Sequence, residues 1–232
     1  MADNVILIAG NICAGKTEFV KYVEEKSAVL NRFVDEHEQV QVVKEFVDDA
    51  ALQLFYRNRK EHTWLFEESC LNGRIARHLT SKHQSGIHLF DRGMIEGAET
   101  FARNSYEEGY LSWSDYQNYF NQLRRGLDVL DRTQQASWLE QLVVYFEVKD
   151  VTLLQERKMK RDTKGENIPA GYLQRINDLY SEMFDNAPLV YSKYGVAAPK
   201  VIKVDASVDF NEDEGYHGRV FDMIKQEITI KR

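Results

Sequence analysis

Eight consecutive residues near the start of the chain, Gly10, Asn11, Ile12, Cys13, Ala14, Gly15, Lys16 and Thr17, have the types and order needed to hold a polyphosphate. Gly10 and Gly15 let backbone N–H groups converge on phosphate oxygens, and a helix opening at Thr17 adds the positive end of its dipole. Lys16 can reach the terminal phosphates, and the Thr17 hydroxyl can ligate Mg²⁺. The motif lies between an apolar run and a helical pattern, the context that separates a working phosphate loop from a chance match. It predicts a site for a nucleoside triphosphate, read as ATP with Mg²⁺.

The elements that position this loop follow from the hydrophobic pattern. Residues 4–9 are a continuous apolar run, the mark of a strand buried on both faces of a parallel sheet. From Thr17 to about Lys26 the period becomes helical, with Phe19, Val20 and Val23 on one side. Further strands are predicted at 39–43, 86–90, 142–146 and 201–204. Helices are predicted from a cap at Asp48 or Asp49 through Tyr56, and at 63–81, 93–107, 113–132, 150–162, 170–184 and 220–228. Strands alternating with helices imply an α/β fold, a three-layer arrangement with a five-stranded parallel sheet flanked by helices. There is no internal repeat or linker, so residues 1–232 are expected to form one domain.

Composition narrows the class. The chain has 232 residues, 43% hydrophobic and 12% aromatic, enough for a sizeable core. A net charge of −7 argues against nucleic acid as the main partner. No run approaches the roughly 18 apolar residues of a membrane span, and the N-terminus lacks a secretion or transit profile, so the cytoplasm is the expected location. The cysteines Cys13 and Cys70 and six scattered histidines provide neither a disulfide framework nor a metal cage. An acidic protein that handles anionic nucleotides must gather its cations locally, and segment 157–164 does so.

A phosphate loop does not specify a reaction. The guanine-reading Asn-Lys-x-Asp is absent, and the apolar strand ending at Asp91 continues with Arg92 rather than a second acid. A strand-end Asp-Arg in a small chain points to small-molecule kinases. Along nearly its whole length the sequence resembles the deoxyribonucleoside kinase family, which includes the deoxycytidine, deoxyguanosine and deoxyadenosine kinases and a broad-specificity insect enzyme. Gly10 to Thr17 is similar to that family's Gly-Asn-Ile-Gly-Ser-Gly-Lys-Ser/Thr, and Glu45-Phe46-Val47 stands for Glu-Pro-Val. Leu54 to Tyr56, Phe66-Glu67, Asp91-Arg92-Gly93 with Phe101-Ala102, Ile168-Pro169 to Leu173, and Val204-Asp205-Ala206 match further family segments in order.

The resemblance implies phosphorylation of a deoxyribonucleoside 5′-hydroxyl, a homodimer built partly on the aromatic-rich helices near 113–120, and a set of roles. Glu45 would be the general base and Arg92 would contact the 5′-oxygen and the developing phosphoryl charge, with Asp91 holding Mg²⁺. Arg157 and Arg161 would belong to a basic lid, about 157–168, that closes over the phosphates. Glu166 and Tyr56 would meet the sugar 3′-hydroxyl, Phe66 and Glu67 the base, and Asp205-Ala206 the adenine of ATP. Read in isolation, these are a loop carboxylate, a strand-end ion pair and a solvated basic helix face.

Glu67 departs from the family's glutamine, since an ionised carboxylate only accepts. It would suit guanine N1–H and N2–H₂, cytosine's amino group or a modified base. Arg74, two helical turns further on, is expected to hold it charged, as a substrate-side or a structural contact. Gly97 stands where purine- and cytosine-preferring relatives often carry Asp, and Phe46 replaces a proline. The competing readings are a deoxynucleoside monophosphate kinase close to thymidylate kinase, whose Glu-Pro-Gly-Gly-Thr is missing here, and a non-catalytic ATP-binding regulator.

Overall fold

The first apolar run forms β1 (Asn4–Gly10), in which Val5 to Ala9 are at most 1% exposed. A strand that dry must lie inside a sheet covered on both faces. The computed structural model, which describes residues 4–31, 39–81, 83–131, 139–161, 168–208, 213 and 215–230, places it there. β1 is the centre of five parallel strands in the order β2-β3-β1-β4-β5. The others are β2 (Val40–Val43), β3 (Ile87–Asp91), β4 (Leu142–Glu147) and β5 (Lys200–Asp205). The sheet is flanked by helices, as the strand–helix alternation predicts.

Because all strands run the same way, their carboxyl ends share one edge. That edge carries the phosphate loop after β1, Glu45 after β2, Asp91 and Arg92 at the end of β3, and Asp205 at the end of β5. The connections leave β1 for neighbours on both sides, and such a switch point is where open parallel sheets bind ligands.

The helices are α1 (Lys16–Leu30), α2 (Asp49–Arg57), α3 (Arg59–Ser81), α4 (Met94–Gly97), α5 (Arg103–Glu107), α6 (Trp113–Asp131), α7 (Val151–Arg161), α8 (Ala170–Asp185), α9 (Ala187–Ser192) and α10 (Tyr216–Ile230). Asp48 caps α2, accepting from the Ala50 and Ala51 N–H groups at 2.9 and 3.0 Å. Extended backbone at Asn58 separates α2 from α3, so α3 starts at Arg59, four residues before the predicted 63. The stretch 93–107, expected as one helix, is α4 and α5 joined by a π-helical turn at Ala98–Ala102. Apolar periodicity does not register such a turn, because it changes the pitch for one turn only. α9 went unpredicted since six residues are too few for a periodic signal, and α10 begins at Tyr216 rather than 220. In α6 the aromatics divide: Tyr119 is fully buried, whereas Trp113 is 61% exposed.

Candidate active site

The phosphate loop is shaped mainly by backbone. A Cβ at Gly10 would lie 2.9 Å from the Phe146 carbonyl oxygen on the adjacent strand, so only glycine fits there. Cys13 (φ 64°) and Gly15 (φ 90°) turn the chain through left-handed backbone, uncommon for the cysteine. The Asn11 side chain accepts from the Ile12 N–H at 2.8 Å and donates to the Leu173 carbonyl at 2.9 Å, tying the loop to α8. Lys16 Nζ donates to the carbonyls of Gly10 and Asn11 at 2.9 and 2.8 Å. Burial and the nearby Arg92 charge bring the Lys16 pKa down to about 8, against the pull of Asp91, Glu96 and Glu45. Thr17 is exposed in the first turn of α1.

Beside the loop lies a chain of alternating charges. Glu45 Oε1 accepts from Arg74 Nη2 and Nε at 2.6 and 3.1 Å, and Glu45 Oε2 lies 3.0 Å from Arg92 Nε. Arg92 Nη1 donates to the Gly10 carbonyl at 3.2 Å, to the Tyr180 hydroxyl at 2.7 Å and to Glu96 Oε1 at 3.4 Å. Tyr180 in turn donates to Glu96, whose Oε2 accepts from the Gly93 N–H at 2.7 Å. Burial works against the charge on Glu45, but Arg74 and Arg92 outweigh it and hold the carboxyl below the usual carboxylate range. Arg92 itself has φ 65°, a strained conformation for a non-glycine residue.

Arg77, which the motifs do not reveal, supports this geometry. Its Nη1 donates to the carbonyls of Val43 and Asp91 at 3.1 and 3.0 Å, and Nη2 to that of Arg92 at 3.2 Å. One guanidinium thus fixes the end of β2 against the end of β3, and with them the spacing of Glu45 and Arg92. Burial lowers the Arg77 pKa to about 10, with Glu45 and Asp91 opposing.

Glu45 and Arg92 face a cavity of about 240 Å³. Tyr56, Phe66, Phe101 and Tyr172 supply aromatic walls, Ile12 comes from the phosphate loop, and Arg161 from the end of α7. Phe66 is braced by stacking on Phe55 at 4.7 Å, and the Arg92 guanidinium lies 4.6 Å from the Phe101 ring centre. Phe101 is carried by the π-helical turn, so that local irregularity serves the cavity wall.

Glu67, Cys70 and Arg74 line the same cavity from α3, but Glu67 and Arg74 are arranged differently from the expectation. Arg74 gives its hydrogen bonds to Glu45, and Glu67 accepts from the Ser105 hydroxyl at 3.0 Å. Burial pushes the Glu67 pKa up to about 7, and the opposing effects of Arg74 and Ser105 do not cancel it. Burial therefore outweighs the Arg74 charge, which still draws the Glu67 pKa down, while the hydrogen bonds of that guanidinium go to Glu45. Gly97 explains how Arg74 reaches so far: a Cβ there would sit 1.9 Å from Arg74 Nη1.

On the opposite side of the phosphate loop, Asp205 ends β5 and Ala206 is buried, its N–H donating to the Glu147 carbonyl at 2.8 Å. Arg157, expected to close over phosphates, instead donates to the Ala206 and Val208 carbonyls at 2.7 and 2.8 Å and to the Cys13 carbonyl at 3.5 Å. A guanidinium in mid-α7 lies beside these carbonyls, and it clasps the loop after β5 to the phosphate loop. Glu166 lies outside the described residues, as do residues 162–167 of the lid.

A phosphate loop on a five-stranded parallel sheet, with Asp-Arg ending the neighbouring strand, defines a P-loop kinase. The chain is similar in fold to the solved structure of a deoxyadenosine kinase from M. mycoides with bound dATP, at 20% identity, TM-score 0.71, covering 95% of this chain and 99% of that one. It is 26% identical over 207 residues to a deoxyadenosine kinase of Lactobacillus acidophilus, covering 89% of this chain and 87% of the relative. A sequence model of the deoxynucleoside kinases matches residues 6–229, and the chain belongs to the deoxynucleoside kinase family. It is a phosphotransferase that acts on nucleosides. No helix among the described residues is long and apolar enough to cross a membrane.

Proposed function

We propose that a deoxyribonucleoside occupies the 240 Å³ cavity and receives the γ-phosphoryl group of ATP bound on the phosphate loop. One observation carries this reading: Arg92 bonds both the phosphate-loop carbonyl of Gly10 and the cavity carboxylate Glu45. The acceptor hydroxyl and the donor phosphate would then meet at that arginine. Held ionised by its two arginines, Glu45 accepts a hydrogen bond from the 5′-hydroxyl and takes its proton as the new P–O bond forms. Arg92 offsets charge developing between the two substrates, and Lys16 does so on the phosphates.

Thr17, at the start of α1, and Asp91, at the end of β3, would hold Mg²⁺, which supplies charge neutralisation on the β- and γ-phosphates when bound. Tyr56, Phe66 and Glu67 position the nucleoside, and Arg161 closes the cavity beside the phosphates. Arg157 holds Asp205 and Ala206 in place to receive the donor base. The names of the similar proteins, deoxyadenosine kinases, one of them with dATP, support a purine deoxynucleoside among the substrates and an adenine nucleotide at the loop. A monophosphate acceptor is disfavoured, because a phosphate dianion beside Glu45 meets like charge where a neutral hydroxyl does not. The homodimer belongs to the same reading, and sedimentation measures it.

The test is ATP-dependent phosphorylation of a panel of nucleosides and their monophosphates. Nucleosides should turn over, and Glu45→Gln should lower kcat by roughly 10²–10⁴-fold. Turnover of monophosphates alone would sink the reading, and full activity of Glu45→Gln would remove Glu45 as the base.

A further inference from the structure

Arg59 is a cation of the acceptor cavity that none of these roles uses. It is the first residue of α3, and Arg59, Thr63, Glu67, Cys70 and Arg74 recur at three- or four-residue intervals along that helix. Such spacing puts them in one stripe, and all of them but Thr63 line the cavity. Two of the charges in the stripe have partners, Arg74 with Glu45 at 2.6 Å and Glu67 with the Ser105 hydroxyl. Arg59 has no carboxylate partner among the described residues. Its guanidinium instead lies 4.7 Å from the ring centre of Tyr172, 5.0 Å from that of Phe55 and 5.9 Å from that of Tyr110.

Aromatic faces hold a guanidinium plane in place without consuming its N–H donors. The consequence is visible at Nη2, which is buried and has no hydrogen-bond partner. A buried donor left unmade is costly, and its cost is relieved when an acceptor arrives. Arg59, Tyr172 and Phe55 all line the cavity, so a small turn of the guanidinium would bring this donor to an acceptor bound there. Eight residues separate Arg59 from Glu67, a rise of about 12 Å along the helix, which two long side chains and one heterocycle can span.

We propose that Arg59 is a specificity-determining residue that donates to a carbonyl oxygen or ring nitrogen of the bound base, while Glu67 accepts from an N–H of the same base. The inference rests on the reading of the cavity as the nucleoside site. It gives the cavity a polarity, donor at the start of α3 and acceptor at its middle, so a base that lacks either group at the matching edge is selected against.

The experiment is steady-state kinetics of wild type, Arg59→Met and Arg59→Lys on deoxyadenosine, deoxyguanosine, deoxycytidine and thymidine, each with ATP titrated separately. Loss of one charge-assisted hydrogen bond should raise the KM of the preferred nucleoside by roughly ten- to a hundredfold in Arg59→Met. The rise should be smaller for poorly used bases, and kcat and the KM of ATP should stay close to wild type. Arg59→Lys keeps the charge but loses the planar fork, so it should fall between the two. An unchanged nucleoside KM overturns the proposal, and so does an equal rise for every base, which would place Arg59 on the sugar or in packing alone. If Arg59→Met does not fold, Arg59→Lys with wild-type base preference overturns it. Wild-type turnover separates the two levels: failure on every nucleoside removes the reading of the cavity, whereas turnover with an indifferent Arg59→Met removes only the role of Arg59.

Discussion

The phosphate loop and the cavity beside it share one edge of the sheet but hold their charges differently. Around the loop, cations bond to main-chain carbonyls: Lys16 to Gly10 and Asn11, and Arg157 to Cys13 and, after β5, to Ala206 and Val208. In the cavity, side chains bond to side chains, in the sequence Arg74, Glu45, Arg92, Glu96. A backbone cradle needs the right turns, so its residues are contiguous and few substitutions fit. A side-chain network draws on the ends of β2 and β3 and on α3, α4 and α8, so one side chain can take the space another leaves. Gly97 and Arg74 illustrate the second case: the space a Cβ would take at 97 is used by the guanidinium that reaches Glu45.

The most severe way to break this contrast is Gly97→Asp. Its side chain needs the space of Arg74 Nη1 and attracts the guanidinium away from Glu45. Misplacement of a catalytic group by about 1 Å can cost on the order of a hundredfold, and kcat for nucleoside phosphorylation should fall by that order with the KM of ATP little changed. A comparable rise in the KM of ATP would mean that the loop and cavity are not separable. On the donor side, Arg157→Met removes the clasp on Ala206 and Val208. The KM of ATP should rise roughly tenfold while that of the nucleoside stays level, each such bond contributing on the order of 1 kcal/mol.

The smallest effect, and the sharpest probe, is pH dependence at Glu67. Its pKa in the folded chain, about 7, lies above the ordinary 4.5. Stability from burying it neutral is therefore fully present below about 4.5 and is lost as pH rises through about 7. The same ionisation turns a group that can donate into one that only accepts. Base preference of the wild type should shift between pH 6 and pH 8, about one pH unit either side of that value, and the shift should vanish in Glu67→Gln. Identical profiles for the two proteins would leave Glu67 a structural residue bonded to Ser105.

Residues 10–17 were legible in the sequence because neighbours in the chain are neighbours in the site. Strand and helix alternation was legible for the same local reason, apart from features too short for a period, such as α9 and the π-helical turn. Glu45, Asp91 and Arg92 could be placed at strand ends, and the structure brings Glu45 to Arg92 at 3.0 Å. The partner of Arg74 could not be read, since seven residues of helical spacing favour Glu67, whereas Glu45 is 29 residues away. Arg77 and Arg59 belong to no motif; the one signal they leave is the stripe along α3, which also marks ordinary core positions.

By itself, then, the sequence determined that a phosphate cradle sits on a parallel sheet and that carboxylates and arginines end the adjoining strands, because these follow from contiguous residues and short periods. Only the tertiary structure decided which arginine neutralises which carboxylate, that Glu67 is pushed toward neutrality, and that the Arg59 donor is held among aromatic rings. Those outcomes depend on burial and on distances between elements far apart in the chain, and Coulomb energy varies with both, neither of which residue type fixes.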